Sequence, residues 1–127
     1  MRHNATIGGF MQKVYNKLVR DNIPSIIERE GKQATYKVLN EKDFKICLRL
    51  KLTEEIHELL AAVDASNIDS IIEEVADVME VLDALLETYG IDADTTALVQ
   101  KYKREKKGGF NKRVYLLSVE DHNNNDT

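Results

Sequence analysis

Apolar side chains recur every three or four residues through most of the chain, with charged and polar residues between them. This spacing predicts amphipathic helices, because 3.6 residues complete one helical turn. The longest such stretch follows Asn40, a good N-cap residue, and continues to about Ala65. A second stretch begins at Ser66 and ends at Tyr89, where Gly90 provides a C-terminal stop. The pattern therefore predicts two long helices in succession in the middle of the chain.

Shorter helices are predicted on either side of this pair. One should have Asn22 as its N-cap, begin with Pro24 at its first position and stop at Gly31. The other should be capped by Asp92 or Asp94 and end where Gly108 interrupts the pattern. The expected fold class is mainly α.

A small two-stranded β element should complete the fold. The β-prone runs 34–39 and 114–119 are predicted to pair with each other, since an isolated strand has no partner. Residues 1–13 lack periodicity and are predicted to form a flexible arm, and the polar residues 120–127 a disordered tail. A single domain is expected over residues 14–119.

Composition restricts the class of protein. Of the 127 residues, 43% are hydrophobic and 31% charged, which is typical of a folded globular protein. The formal net charge of −4 argues against a nucleic-acid partner. No apolar run approaches the roughly 20 residues that span a bilayer, and residues 1–12 lack the apolar core of a signal peptide. With one cysteine, Cys47, no internal disulfide can form, so we expect a cytoplasmic protein without a membrane partner.

Carboxylates interrupt the apolar stripes of both long helices. With about 100° per residue, Glu74 falls within the apolar arc of the second helix, and Asp77 lies on its rim. Glu55 and Glu58 occupy the same two positions relative to the arc of the first helix, and Lys51 shares that rim. The two helices thus place their acids in the same relation to their apolar faces.

A carboxylate within an apolar stripe must be protonated, paired with a cation or bound to a metal, because burial of an unpaired charge is very unfavourable. For one acid alone, pairing with Lys51 or access to water is the simpler interpretation. Four acids at matching positions favour a shared cation, since antiparallel packing of the helices would bring like charges together. The ligands would all be oxygens, which suits Mg²⁺ or Mn²⁺ and not zinc.

A di-iron site is an alternative for the first helix. Glu54 and His57 form the Glu-x-x-His pair found in di-iron helical bundles. However, His57 projects at roughly 200° from Glu55, away from the apolar stripe, and the second helix has no histidine. A solvated histidine is the favoured interpretation.

Several segments, taken together and in order, resemble a known family. The sequences EEIHE at 54–58 and EVAD at 74–77 resemble the EExxE and ExxD motifs of the MazG-like all-α NTP pyrophosphatases. YNKLVRDNIP at 15–24 and KREKKGGF at 103–110, with RVYL shortly after, are similar to the phosphoribosyl-ATP pyrophosphohydrolase-like branch. The likeness covers residues 15–119, nearly the whole chain.

The resemblance implies a MazG-like helical bundle that dimerises through its long helices, as a homodimer or a homotetramer. It also implies dependence on Mg²⁺, with Mn²⁺ as a possible substitute. By position, Glu55, Glu58, Glu74 and Asp77 correspond to the metal ligands. Glu54 belongs to the motif as a less certain ligand, and Glu54 or Glu55 is the candidate acceptor for the proton of the attacking water.

Basic residues are candidates for binding the substrate phosphates and the pyrophosphate leaving group. These candidates are Lys17, Arg20, Lys51, Lys103, Arg104 and Lys107. Two positions depart from the pattern of the branch: Asn22 stands where lysine is common, and Lys107 stands where arginine is usual. Neither departure removes a predicted metal ligand.

The resemblance implies an enzyme that cleaves the α–β phosphate bond of a nucleoside triphosphate to give a nucleoside monophosphate and pyrophosphate. Phosphoribosyl-ATP is the alternative substrate within the same class. From other classes, the alternatives are a nucleotide-binding regulator with weak turnover and a helical dimerisation module with acidic edges.

Overall fold

The computed structural model of the protein describes the backbone of residues 3–7 and 10–121 and the side chains of residues 11–121. Two strands and four helices follow one another along the chain, which confirms the mainly α class. They are β1 (His3–Ile7), β2 (Phe10–Val14), α1 (Ile23–Arg29), α2 (Glu41–Asp64), α3 (Ile68–Thr88) and α4 (Ala93–Lys107). The predicted tail beyond residue 121 lies outside the described residues.

The β element is an N-terminal hairpin. Strands β1 and β2 pair antiparallel, with His3 opposite Val14. Strands therefore form within the segment 1–13, whose predicted flexibility stays a prediction. The predicted pairing of 34–39 with 114–119 is wrong, since neither run forms a strand. Adjacent segments pair with a small loss of loop-closure entropy, whereas the two β-prone runs are separated by roughly 75 residues.

Helix α1 begins at Ile23, one residue before the predicted start at Pro24, and it lacks the predicted side-chain cap. Pro24 lies in the first turn, and Gly31, with a φ of +83°, follows the helix. The side chain of Asn22 makes no capping hydrogen bond, because its backbone has helical angles (φ −91°, ψ −1°) and not the extended conformation of a capping residue. Instead, the Ile23 N–H donates to the Arg20 carbonyl at 3.1 Å.

Helices α2 and α3 form a helical hairpin around a short connection. Asn40 caps α2 as predicted, since its side chain accepts from the Asp43 N–H at 2.8 Å. The cap of α3 is Asn67, which accepts from the Ser70 N–H at 3.2 Å, and not Ser66. Ser66 has a φ of +53°, so the left-handed residue that ends α2 delays the start of α3 by one position.

The hydrophobic core of the single chain is small. Within residues 11–121, the buried apolar side chains are Leu48 and Ala62 of α2 and Val81 of α3. The buried charged residue is Glu55, only 6% exposed. A carboxylate therefore shares the small interior between the two long helices.

The chain divides into two compact units, Met1–Ile91 and Asp92–Thr127. In the second unit, Asp92 caps α4 as predicted by accepting from the Asp94 N–H at 3.0 Å. Gly108 ends α4 with a φ of +86°. The single domain over residues 14–119 stays a prediction. Among the described helices, none combines the length and the apolar character that crossing a membrane requires.

Candidate metal centre

Three carboxylates from α2 and α3 meet between the helices. Glu55 and Glu58 lie one turn apart on α2, and Glu74 lies on α3. One carboxylate oxygen of each lies within 4.8 Å of those of the other two. We call these three residues the glutamate cluster. The structure thus brings together three of the four acids that the sequence places on matching faces.

Glu55 is the most buried member of the glutamate cluster. Its Oε1 forms an ion pair at 3.1 Å with Nζ of Lys51, which lies one turn earlier on α2. Burial raises the pKa of Glu55, Lys51 opposes that rise, and the neighbouring charge of Glu58 adds to it. The raised pKa shows that the lysine compensates only part of the cost of holding this charge.

Two oxygens of the glutamate cluster lack hydrogen-bond partners. Within residues 11–121, the buried side-chain oxygen and nitrogen atoms without a partner are Glu55 Oε2 and Glu74 Oε2. Each such acceptor costs on the order of 1–3 kcal/mol, and more when it carries charge. A divalent cation would satisfy both oxygens and offset the repulsion among the three carboxylates. The residues present therefore fit a metal centre with oxygen ligands.

The fourth predicted ligand, Asp77, does not belong to this cluster. It lies one turn after Glu74 on α3, and its Oδ1 accepts from Arg20 Nη2 at 2.7 Å. Glu54 is also paired: its Oε1 contacts Lys17 Nζ at 3.1 Å, and its Oε2 contacts Lys51 Nζ at 3.5 Å. Partial burial acts to raise the pKa of Glu54, but the two lysines outweigh it and lower the pKa.

The pairing of Lys17 and Arg20 with motif acids was not predicted. Both cations were expected to contact substrate phosphates. Their partners are 37 and 57 residues away in sequence, and the periodicity of a helix carries no information about contacts at that distance. The one signal that could have suggested these ion pairs is the opposite charge of segment 15–24 and of the acidic motifs at 54–58 and 74–77.

The remaining candidates occupy exposed positions. His57 is exposed, as expected for a solvated histidine, and the di-iron alternative gains no support. The basic candidates of the second unit are exposed on the last turns of α4. These are Lys103, Arg104 and Lys107.

The raised pKa of Glu55 predicts how the stability of the metal-free protein depends on pH. Above pH 4.5, the ordinary pKa of a glutamate, the folded state still holds the Glu55 proton while the unfolded state loses it. The stabilisation that is present below pH 4.5 is therefore lost as the pH rises through the raised pKa. The resulting slope cannot exceed about 1.4 kcal/mol per pH unit. Urea unfolding in EDTA across this range should show a smaller decline for Glu55→Gln. Equal declines in this variant, the wild type and the exposed control Glu73→Gln would contradict the assignment.

The comparisons with known proteins identify a family for the segment that contains this cluster. The family model described as phosphoribosyl-ATP pyrophosphohydrolase matches residues 25–104, more than half of the chain. Neither the search of curated proteins nor that of solved structures found a significant match. The matched range contains all of α2 and α3, and with them the glutamate cluster. The chain therefore belongs to the phosphoribosyl-ATP pyrophosphohydrolase family, whose members hydrolyse a phosphoric anhydride bond.

Proposed function

We propose that the protein is a Mg²⁺-dependent pyrophosphohydrolase that cleaves the α–β phosphate bond of a nucleoside triphosphate. The products are a nucleoside monophosphate and pyrophosphate. The observation that carries the proposal is the pair of buried, unpartnered oxygens on Glu55 and Glu74. They lie on different helices in a segment that belongs to a pyrophosphohydrolase family.

Glu55, Glu58 and Glu74 would hold the ion, with Asp77 one turn further along α3 as a fourth ligand. Mg²⁺ suits this set because it prefers oxygen ligands and keeps positions for phosphates, and Mn²⁺ can replace it. When bound, such an ion neutralises charge on the phosphate oxygens and makes a bound water more acidic.

Of the two candidate proton acceptors, Glu55 is the better placed. Both carboxylate oxygens of Glu54 are engaged by lysines, and its lowered pKa makes it a weaker base. Glu55 has a raised pKa and a single lysine partner at Oε1, so that oxygen would remain for the proton when the ion takes Oε2. We therefore propose that Glu55 accepts the proton of the attacking water.

The leaving pyrophosphate needs cationic partners, and Lys51 is the nearest to the glutamate cluster. Its side chain is only 16% exposed and already contacts Glu55 and Glu54. Lys17 and Arg20 lie beside the same region through their pairs with Glu54 and Asp77. In the second unit, Lys103, Arg104 and Lys107 are further candidates for phosphate contacts.

Phosphoribosyl-ATP is a second candidate substrate, favoured by the description of the matching family. Its triphosphate offers the same α–β bond to the same acids, so the glutamate cluster does not discriminate between the two substrates.

Pyrophosphate release in the presence of Mg²⁺ is the direct test. Purified protein is incubated with a panel of NTPs, dNTPs and phosphoribosyl-ATP, with Mg²⁺ or with EDTA. We expect pyrophosphate and the corresponding monophosphate in equal amounts, with Mg²⁺ only, because charge on the triphosphate must be neutralised as the bond breaks.

The identity of the products separates the rival functions. Release from phosphoribosyl-ATP alone would establish the second candidate. Orthophosphate with a nucleoside diphosphate would place the cleavage at the wrong bond. No Mg²⁺-dependent release from any substrate would leave a nucleotide-binding regulator or a helical dimerisation module.

We also propose that the protein assembles as a homodimer, or as a homotetramer built from such dimers. Apolar side chains on α2 and α3 remain substantially exposed in the single chain. Examples are Ile56, Leu60, Ile72, Met79 and Leu82, at 40%, 53%, 62%, 58% and 43% exposure. A second copy that packs on these faces would extend the small core.

A further inference from the structure

Two cations from one short segment contact both helices of the candidate metal centre. Residues 15–22, which we call the strap, connect β2 to α1. Lys17 Nζ pairs with Glu54 Oε1 on α2 at 3.1 Å, and Arg20 Nη2 pairs with Asp77 Oδ1 on α3 at 2.7 Å. The strap lies before the range that the family model matches.

The backbone of Arg20 is fixed while its guanidinium stays accessible. The Arg20 carbonyl accepts from the Ile23 N–H at 3.1 Å, which holds this residue directly ahead of α1. Its side chain nevertheless remains 56% exposed, and that of Asp77 39%. The guanidinium can therefore leave Asp77 by changes in its side-chain dihedral angles, without unfolding of the strap or of α1.

Asp77 would have to give up its ion pair with Arg20 in order to act as a fourth metal ligand. It is one turn after Glu74, whose Oε2 is buried and unpartnered, yet it does not join the glutamate cluster. Its Oδ1 is occupied by a charge-assisted hydrogen bond. A divalent ion that took either oxygen of Asp77 as a ligand would bring positive charge close to the guanidinium and so weaken the ion pair with Arg20.

Resting on the proposed function, we infer that Arg20 is a positioning residue that competes with the divalent ion for Asp77. When the ion binds, Arg20 releases Asp77 and its guanidinium becomes available to a substrate phosphate. The strap then exchanges a carboxylate partner for a phosphate partner, so that metal loading precedes the capture of the nucleotide by this residue.

The strength of the ion pair suits such an exchange. Ion pairs that are exposed to solvent change an equilibrium by about fivefold at most, because water and salt screen them. The pair can therefore hold Arg20 in the metal-free protein and still yield to a divalent ion. Its removal should tighten metal binding by a small, measurable factor.

A double-mutant cycle on metal affinity tests this competition. Calorimetric titration with Mn²⁺, without nucleotide, compares wild type, Arg20→Gln, Asp77→Asn and the double variant. We expect Arg20→Gln to tighten Mn²⁺ binding about three- to fivefold. In the Asp77→Asn background, Arg20→Gln should change the Mn²⁺ affinity by less than about 1.5-fold, because the carboxylate for which Arg20 and the ion compete is gone. Arg29→Gln is the matched control, because it removes the same charge from an arginine that donates to the Ser25 carbonyl within α1.

Unchanged or weaker Mn²⁺ binding by Arg20→Gln would overturn the inference. So would an equal gain in Arg29→Gln or in the Asp77→Asn background, because the effect would then be a general change in charge. Hydrogen exchange of the Arg20 guanidinium, followed by NMR, gives an independent readout: Mg²⁺ alone should accelerate it in the wild type, because the guanidinium loses its Asp77 partner while the strap backbone stays in place. Unchanged or slower exchange would overturn the competition even if Asp77→Asn binds too weakly to titrate. A wild type that binds no Mn²⁺ would instead refute the metal centre of the proposed function.

Discussion

Replacement of Glu74 by glutamine is expected to lower the rate of Mg²⁺-dependent pyrophosphate release at least about a hundredfold. The substitution keeps the shape of the side chain but removes a charged ligand from the glutamate cluster. In the metal-free protein the effect should be the opposite. The amide can donate to the carboxylates of Glu55 and Glu58, which lie close enough to repel Glu74, so the free energy of unfolding in EDTA should rise by about 1 kcal/mol.

The neighbouring residue provides a matched control. Glu73→Gln makes the same chemical change on an exposed side of α3 and should leave both activity and stability within error of the wild type. Steady-state assays of pyrophosphate release and urea unfolding with EDTA measure the two effects. Full activity in Glu74→Gln would show that the ligand assignment is wrong. A loss of activity together with a loss of stability would mean that the substitution simply disrupts the packing of α2 on α3.

The long helices could be predicted from sequence because the signals that define them are local. Apolar spacing, the Asn40 cap and Gly90 are all read within one or two turns, and α2 and α3 begin and end within about two residues of the predicted positions. The same arithmetic placed Glu55 inside an apolar stripe, where the structure buries it. Local rules thus gave the helices and the most informative residue of the candidate site.

The features that the sequence did not reveal depend on contacts between distant segments. The run 34–39 has the residue types of a strand but forms none in the part of the chain that the structure describes. Residues 3–7 and 10–14 pair because the two segments are adjacent in sequence. The position of Asp77 was predicted correctly on the rim of α3, but its partner Arg20 comes from a segment 57 residues away. Its pairing with a cation, and not with the other carboxylates, is a tertiary property.

The apolar arcs of α2 and α3 are also broader than the part of each arc that the single chain buries. The arc of α3 spans roughly half of the helix circumference, yet Val81 is the buried apolar residue that α3 contributes. A domain with so small a core has little to balance the conformational entropy that it loses on folding. The excess apolar surface on α2 and α3 is therefore the physical reason to expect assembly with a second copy.

Charges placed on that surface should dissociate the proposed homodimer. The double substitution Ile72→Glu and Met79→Glu puts carboxylates at two exposed apolar positions on α3, where each would be desolvated against the second copy. The dimer dissociation constant is expected to rise at least about a hundredfold, with a matching loss of stability at low concentration. Sedimentation equilibrium measures the first effect, and urea unfolding at several protein concentrations measures the second. Lys42→Glu, an exposed control that changes the net charge equally, should leave the assembly unchanged. If the doubly substituted protein kept the mass of the wild type, the exposed faces of α2 and α3 would not be the interface, and the small core would have to be completed elsewhere.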